Sequence, residues 1–234
     1  ERQVLKQQWE ELRTCGNSQM ESARYEEGAG MIKNIVFDFG QVLINFQPEA
    51  YLRGLFPEHG QIDLVMKALF GSPEWAMLDR GVIDQAEAEL RLTNQHPHLK
   101  AAISDALADW FVMLTPIEAN VELLALIKER GYRLYAISNF HEAAFEYIEA
   151  RYGWLGLFDG LILSYQHHVM KPEPQIYNEL LKRHQLKGHE CLFIDDVAAN
   201  IEGARRMGFE ALLYQCPEQL RSDLRRRFLA LQGL

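Results

Sequence analysis

The sequence predicts an α/β fold: a doubly wound, mainly parallel sheet with a helical domain inserted after the first strand. Short β-rich runs alternate with helical patterns along most of the chain, which is typical of a parallel sheet with right-handed crossovers. The first run, Ile32–Phe37, ends in three consecutive apolar residues, as expected of a strand buried on both faces. Residues 46–115 then show helical patterns only, and this stretch is too long for a crossover loop.

Four further strands are predicted in the second half of the chain, with helices between them. The predicted strands are Arg133–Ile137, Leu161–Leu163, Cys191–Ile194 and Ala211–Tyr214. The predicted helices are Ile117–Arg130, one that begins near Glu142, Gln175–Arg183, Ala199–Met207 and Pro217–Leu231.

The helical patterns after the first strand predict an inserted domain at residues 46–115, here called the helical insert. They cover Ile62–Phe70, Ile83–Thr93 and Ala101–Leu114. The core domain is then predicted to combine residues 31–45 with 116–234. Residues 1–30 are predicted to be an N-terminal extension that ends in a solvated linker, and they are left out of the fold prediction.

The composition favours a soluble metabolic enzyme over a nucleic-acid-binding protein. The 234 residues carry a formal net charge of −9, whereas a nucleic-acid surface is usually basic. No apolar run approaches the roughly 18 residues that cross a bilayer, and no signal peptide is expected. The cysteines show no metal-ligand spacing, and Cys191 is expected in the core, so we expect a reducing, cytoplasmic location. The oligomeric state is left open.

Polar and charged side chains follow four of the predicted strands. In strand order they are Asp38, then Ser138 and Asn139, then Lys171 before two prolines, then Asp195 and Asp196 with Asn200. Open α/β sheets bind ligands beyond the carboxyl ends of their strands, so these groups are expected at one edge. Each group alone has an ordinary explanation, such as helix capping, but the set does not.

Together these groups supply what phosphoryl transfer needs. Asp38 is a carboxylate that can accept the phosphoryl group as an aspartyl phosphate. The Ser138 hydroxyl and the Lys171 ammonium can neutralise charge on the phosphoryl oxygens. Asp195 and Asp196 repel each other when buried, and a bound cation relieves this repulsion; because the available ligands are oxygens, the expected ion is Mg²⁺.

The four motifs, in this order, resemble those of the haloacid dehalogenase superfamily of hydrolases, over Met31 to Tyr214. The resemblance implies that Asp38 is the nucleophile and a metal ligand. It implies that the other Mg²⁺ ligands are the Gly40 backbone carbonyl and Asp196.

The resemblance also assigns the remaining groups. It implies that Ser138, Asn139 and Lys171 bind the phosphate and that Lys171 is also catalytic. It further implies that Asp195 and Asn200 lie in an outer shell around the metal ligands, with Asp195 beside Asp196. The helical insert resembles the family's cap, and its candidate specificity residues are Trp75, Met77 and Trp110.

One position departs from the pattern of the family's phosphatases. These enzymes usually carry an acidic residue two positions after the nucleophile as general acid and base, and here that position is Gly40. A positioned acid contributes roughly 10²–10⁴-fold to the rate. Three substitutes are open: a side chain from the insert, His168, or a leaving group acidic enough to need little help. For His168, a solvent-facing loop position is the stronger expectation.

The sequence therefore predicts Mg²⁺-dependent hydrolysis of a small phosphorylated metabolite. A phosphosugar is favoured because this chain most resembles the branch of the family whose first motif reads Asp-x-Gly-x-Val, which includes sugar-phosphate phosphatases. Two alternatives are a haloacid dehalogenase-type hydrolase and a ligand-binding protein whose turnover is impaired by the loss of the acid. No nucleic acid or membrane is expected as a partner.

Overall fold

The computed structural model describes residues 32–56 and 59–227, so the predictions for residues 1–30 lie outside it. Its centre is a five-stranded sheet with the order β3-β2-β1-β4-β5, and every neighbouring pair is parallel. The strands are β1 Asn34–Phe37, β2 Arg133–Ser138, β3 Gly160–Leu163, β4 Cys191–Asp195 and β5 Glu210–Leu213. The predicted doubly wound parallel sheet is confirmed.

The strand register places the reactive residues next to one another. Phe37, the last residue of β1, pairs with Ala136 of β2 and with Ile194 of β4. The chain order reverses at β1, with β2 on one side and β4 on the other, and such a switch point is where open α/β sheets bind ligands. Asp38 therefore lies just beyond the end of β1, between the carboxyl ends of β2 and β4.

The helical insert contains five α-helices and no strand among its described residues. They are α1 Pro48–Leu55, α2 His59–Val65, α3 Pro73–Asp79, α4 Gln85–Gln95 and α5 Lys100–Ala108. The helix predicted at Ala101–Leu114 is shorter than expected, because Asp109 leaves the helical region (φ −145°, ψ 30°) and a 3₁₀ turn follows at Trp110–Met113. The division into domains near residues 45 and 115 stays a prediction.

The helices that follow the insert cover both faces of the sheet. They are α6 Glu118–Glu129, α7 Glu142–Glu149, α8 Ser164–His167, α9 Pro174–Arg183, α10 Ala198–Arg206 and α11 Pro217–Arg227. Successive strand residues point to opposite faces, so Ile35 and Phe37 join one buried cluster while Val36 joins the other. Cys191 is buried as a free thiol, which confirms its predicted place in the core. Within the described ranges, no helix is long and apolar enough to cross a membrane.

The end of α3 docks onto the chain segment that carries Lys171. The Arg80 guanidinium donates to the Glu173 carboxylate, forming an ion pair, and also to the His168 carbonyl at 3.0 Å. The Ser164 hydroxyl donates to the Asp79 carbonyl and accepts from the Phe140 amide at 2.9 Å. These contacts dock the end of α3 against the carboxyl edge of the sheet.

Gly81 permits this docking, and we expect Gly81→Ala to disturb it. Gly81 has φ +69°, and an added Cβ would lie 2.4 Å from the Tyr165 carbonyl oxygen. We expect the substitution to lower the free energy of unfolding by more than the roughly 1 kcal/mol that φ strain alone costs. Gly131→Ala is the matched control, because Gly131 has φ +85° but open space around an added Cβ.

Chemical denaturation of the two variants tests this prediction. Equal losses of stability would show that the insert does not approach the core closely at Gly81.

Candidate active site

Asp38 is held at the end of β1 by three hydrogen bonds to one of its oxygens. Its Oδ1 accepts from the Phe39 amide at 2.7 Å, from the Ser138 hydroxyl at 2.8 Å and from Lys171 Nζ at 2.7 Å. No residue within the described ranges donates to Oδ2. Because Asp38 is only 7% exposed and lines a cavity, Oδ2 is the oxygen left for a ligand.

Lys171 forms the electrostatic centre of the site. Its ammonium is buried and lies 2.7 Å from both Asp38 Oδ1 and Asp195 Oδ2. Burial disfavours the charged form, but the two carboxylates outweigh it, so the pKa of Lys171 lies above its usual value. A permanently charged donor is therefore fixed beside the candidate nucleophile.

Asp195 is fully buried, and both of its oxygens are already occupied. Oδ1 accepts from the Val197 amide at 2.8 Å, and the Asn200 side-chain amide lies 3.0 Å from both oxygens. With Lys171 bound to Oδ2, this carboxylate has little capacity left for a further ligand. The geometry therefore fits the predicted supporting role of Asp195 and Asn200.

Asp38, Asp195 and Asp196 bring carboxylate oxygens within 4.8 Å of one another. Burial raises the pKa of Asp38, with Asp195 adding to the effect against the opposing influence of Lys171. Burial and Asp195 also raise the pKa of Asp196. Three carboxylates beside one ammonium leave excess negative charge, and a hard divalent cation fits such an all-oxygen cluster. Asp196, which is only half-buried, is the carboxylate with capacity for it.

Asn139 supports Lys171 through its backbone. Its side-chain Oδ1 accepts from the Lys171 amide at 2.8 Å, and its Nδ2 donates to the Lys171 carbonyl at 3.1 Å. This pair of bonds fixes the loop after β3 against the end of β2. Asn139 also lines the cavity, so its predicted contact with phosphate stays a prediction.

A cavity of about 240 Å³ opens above these polar groups. Its floor contains Asp38, Gly40, Lys171 and Asp196. Its wall is largely apolar and includes four aromatic residues, Phe46, Trp75, Trp110 and Phe140. Two of the three candidate specificity residues, Trp75 and Trp110, thus face the cavity, whereas Met77 is not among its lining residues.

Two titratable residues that line the cavity, Asp79 of the insert and His141 of the core, were not singled out from the sequence. Asp79 lies four residues after Trp75 on α3, so both side chains fall on one helix face. His141 lies three residues after Ser138, in the connection from β2 to α7, where ligands of such sheets bind. These spacings are the signals that point to them.

His168 lies outside this cavity. It is exposed, its Nδ1 lies 3.0 Å from the Arg80 carbonyl, and it lines a neighbouring cavity of about 630 Å³. Its position agrees with the expected solvent-facing loop histidine and gives its hypothetical acid role no geometric support.

The haloacid dehalogenase-like hydrolase family matches residues 32–208, which span strands β1 to β4, the helical insert and all the groups described above. The chain belongs to this family. Membership makes it a hydrolase and agrees with the parallel α/β sheet described above; the role of the helical insert as a cap stays a prediction.

Known relatives include phosphatases. A sesquiterpene phosphatase of Aspergillus oryzae is 26% identical over 77% of this chain and 88% of its own length. A D-ribitol-5-phosphate phosphatase of Bacteroides thetaiotaomicron is 24% identical over 77% of this chain and 90% of its own length. A family enzyme of Bacteroides thetaiotaomicron, solved with magnesium and inorganic phosphate, shares the fold with a TM-score of 0.63 at 22% identity, covering 79% of this chain and 94% of its own.

Proposed function

We propose that this chain hydrolyses small phosphomonoesters in a Mg²⁺-dependent reaction that passes through a phosphoryl group on Asp38. The observation that carries the proposal is the buried arrangement of Lys171 between Asp38 and Asp195, with Asp196 beside it. It joins a candidate nucleophile, a fixed cation and a cluster suited to a divalent metal at one end of one cavity. Two phosphatase relatives support the same reaction class.

Asp38, Asp196 and the Gly40 carbonyl are the proposed holders of Mg²⁺. Bound there, the ion would offset the negative charge of the phosphoryl oxygens. Gly40 lines the cavity together with both carboxylates, which supports its inclusion. Asp195 is not one of the proposed ligands, since its oxygens already accept hydrogen bonds from Lys171, Asn200 and the Val197 amide.

The chain's own residues divide the remaining work. Asp38 attacks phosphorus in line, and water then releases phosphate from the aspartyl phosphate. Lys171 and Ser138, which both donate to Asp38 Oδ1 before the reaction, are placed to donate to the phosphoryl oxygens as the new bond forms. The closed insert limits the access of water to the cavity.

Two substrate classes fit the cavity. The phosphosugar predicted from the sequence resemblance remains the first candidate, and one relative acts on a sugar alcohol phosphate. The aromatic wall favours a second candidate, the phosphate of an apolar alcohol, which matches the other relative. Aromatic side chains can pack against either a sugar face or an apolar chain, so the choice between the two substrate classes is made by the substrate panel described below.

The two competing functions have less support. Dehalogenation does not need the metal, and it gives no reason for a cluster of three carboxylates. A binding protein without turnover gives no reason to keep the nucleophile and Lys171 in contact.

Metal removal tests the proposal. We expect phosphate release from a panel of hexose, pentitol and prenyl phosphates to stop after chelation and to return with Mg²⁺. The ranking of the panel identifies the alcohol that the aromatic wall admits. Halide release from 2-haloacids without metal would support the dehalogenase instead, and ligand-induced thermal stabilisation without product would support the binding protein.

A further inference from the structure

We propose that Asp79, supported by His141, is the general acid and base that replaces the missing acid at position 40; this inference rests on the proposed phosphatase function. Both residues line the cavity that holds Asp38. Asp79 ends α3 of the helical insert, and His141 precedes α7 of the core.

The hydrogen bonding between these two side chains is incomplete. His141 Nε2 lies 3.1 Å from Asp79 Oδ1, yet this nitrogen is buried and makes no aligned hydrogen bond to any described residue. A buried polar atom without a partner is costly, and such an atom in a ligand cavity indicates a group that completes its bonding when the site is used. A proton shared with Asp79 fits that need.

The side chain of His141 is more closely packed than that of Asp79. The ring of His141 packs against Trp75 at 4.3 Å and Trp110 at 5.1 Å between centroids. Its side chain is 6% exposed, compared with 19% for Asp79. Asp79 is therefore the member of the pair that a leaving group can touch, and His141 is a positioning residue that holds the carboxyl and exchanges a proton with it.

Asp79 is itself placed by the docking of the insert. Its carbonyl accepts from Ser164, and the next residue, Arg80, pairs with Glu173 near Lys171. The position of the carboxyl in the cavity therefore depends on the docking of α3 against the core. The same contacts that exclude water thus complete the set of groups that the chemistry needs.

Asp79 donates a proton in the first step of the proposed reaction and regains one in the second. In the first step a bond forms between Asp38 and phosphorus, the bond from phosphorus to the leaving oxygen breaks, and Asp79 protonates that oxygen. In the second step Asp79 removes a proton from the attacking water, a bond forms between water oxygen and phosphorus, and the bond to Asp38 breaks. Phosphate leaves, and both carboxyl groups return to their starting states.

The test compares two substrates for the wild type and for Asp79→Asn. The quantity compared is kcat/KM, because it reports the steps up to release of the leaving group and excludes the later hydrolysis of the aspartyl phosphate, in which Asp79 also acts. With an alkyl phosphate the leaving alkoxide needs a proton, and we expect kcat/KM to fall by about 10²–10⁴-fold. With p-nitrophenyl phosphate the leaving phenolate needs none, and we expect kcat/KM to change only a few-fold. Asp84→Asn is the matched control, since Asp84 is also an insert carboxylate but lines the neighbouring cavity.

His141 and Gly40 provide two further variants. We expect His141→Gln to lower kcat for the alkyl phosphate less than Asp79→Asn does, and to change the pH profile without a matching change in KM. An added Cβ at Gly40 meets nothing within 4 Å, so the backbone there has room for the start of a side chain. Gly40→Asp combined with Asp79→Asn should restore part of the alkyl phosphate rate.

Two outcomes overturn the proposal. Equal losses of kcat/KM on both substrates would show that Asp79 acts only through structure, and unchanged kcat/KM on both would show that it does not protonate the leaving group. Failure of the proposed function looks different, because the wild type would then release phosphate from neither substrate.

Discussion

Asp38→Asn is expected to abolish phosphate release. Replacing the carboxylate removes the atom that accepts the phosphoryl group, and loss of a covalent nucleophile costs other hydrolases on the order of 10⁶-fold in kcat. The fold should survive, because Asn has the same shape and its side-chain oxygen can still accept from Ser138 and the Phe39 amide. Phosphate release and the thermal unfolding midpoint, measured on the same preparation, check both parts.

Ser138→Ala is the comparison for this variant. It removes one donor to Asp38 Oδ1 but leaves the nucleophile and Lys171 in place. We expect a partial loss of rate, clearly smaller than that of Asp38→Asn. An Asp38→Asn enzyme that retained activity comparable to Ser138→Ala would show that Asp38 does not form the covalent intermediate.

Lys171→Met is expected to damage both stability and activity. The substitution leaves Asp38 and Asp195 buried close together without the ammonium that lies 2.7 Å from each. Breaking a buried ion pair by removing one partner typically costs about 3–5 kcal/mol, so we expect a loss of that size in the free energy of unfolding. Chemical denaturation without metal measures it.

Two controls separate charge from packing at Lys171. Adding Asp38→Asn to Lys171→Met removes one of the stranded carboxylates and should restore part of the lost stability. Mg²⁺ should stabilise Lys171→Met more than it stabilises the wild type, because the variant has the larger excess of negative charge. If Lys171→Met unfolds at the wild-type denaturant concentration, the buried ion pairs do not form as described.

Three of the reactive residues, Asp38, Ser138 and Asp195, were predictable from the sequence because each directly follows a short apolar run. Asp38, Ser138 and Asp195 are fixed by the strands that precede them, and parallel strands bring their carboxyl ends to one edge. The register of β1 with β2 and β4 then leaves little freedom in their relative positions. The sheet and the polar floor of the cavity were predicted for this reason.

The upper part of the cavity was not predictable in the same way. Whether Asp79 reaches the site depends on how α3 packs on the core, which is determined by distant contacts such as Arg80 with Glu173. The sequence left an insert side chain open as the missing acid but gave no means to choose it. The bonds of Asn139 to the Lys171 backbone likewise join segments 32 residues apart.

The stereochemical course at phosphorus tests the central claim most directly. A phosphorothioate substrate is made chiral at phosphorus with sulfur and two oxygen isotopes and is hydrolysed in water that carries the third isotope; its phosphorus undergoes one inversion in each in-line displacement. Transfer to Asp38 followed by transfer to water therefore predicts net retention in the released thiophosphate. Net inversion would mean that water attacks the substrate directly, and it would contradict a phosphoryl group on Asp38.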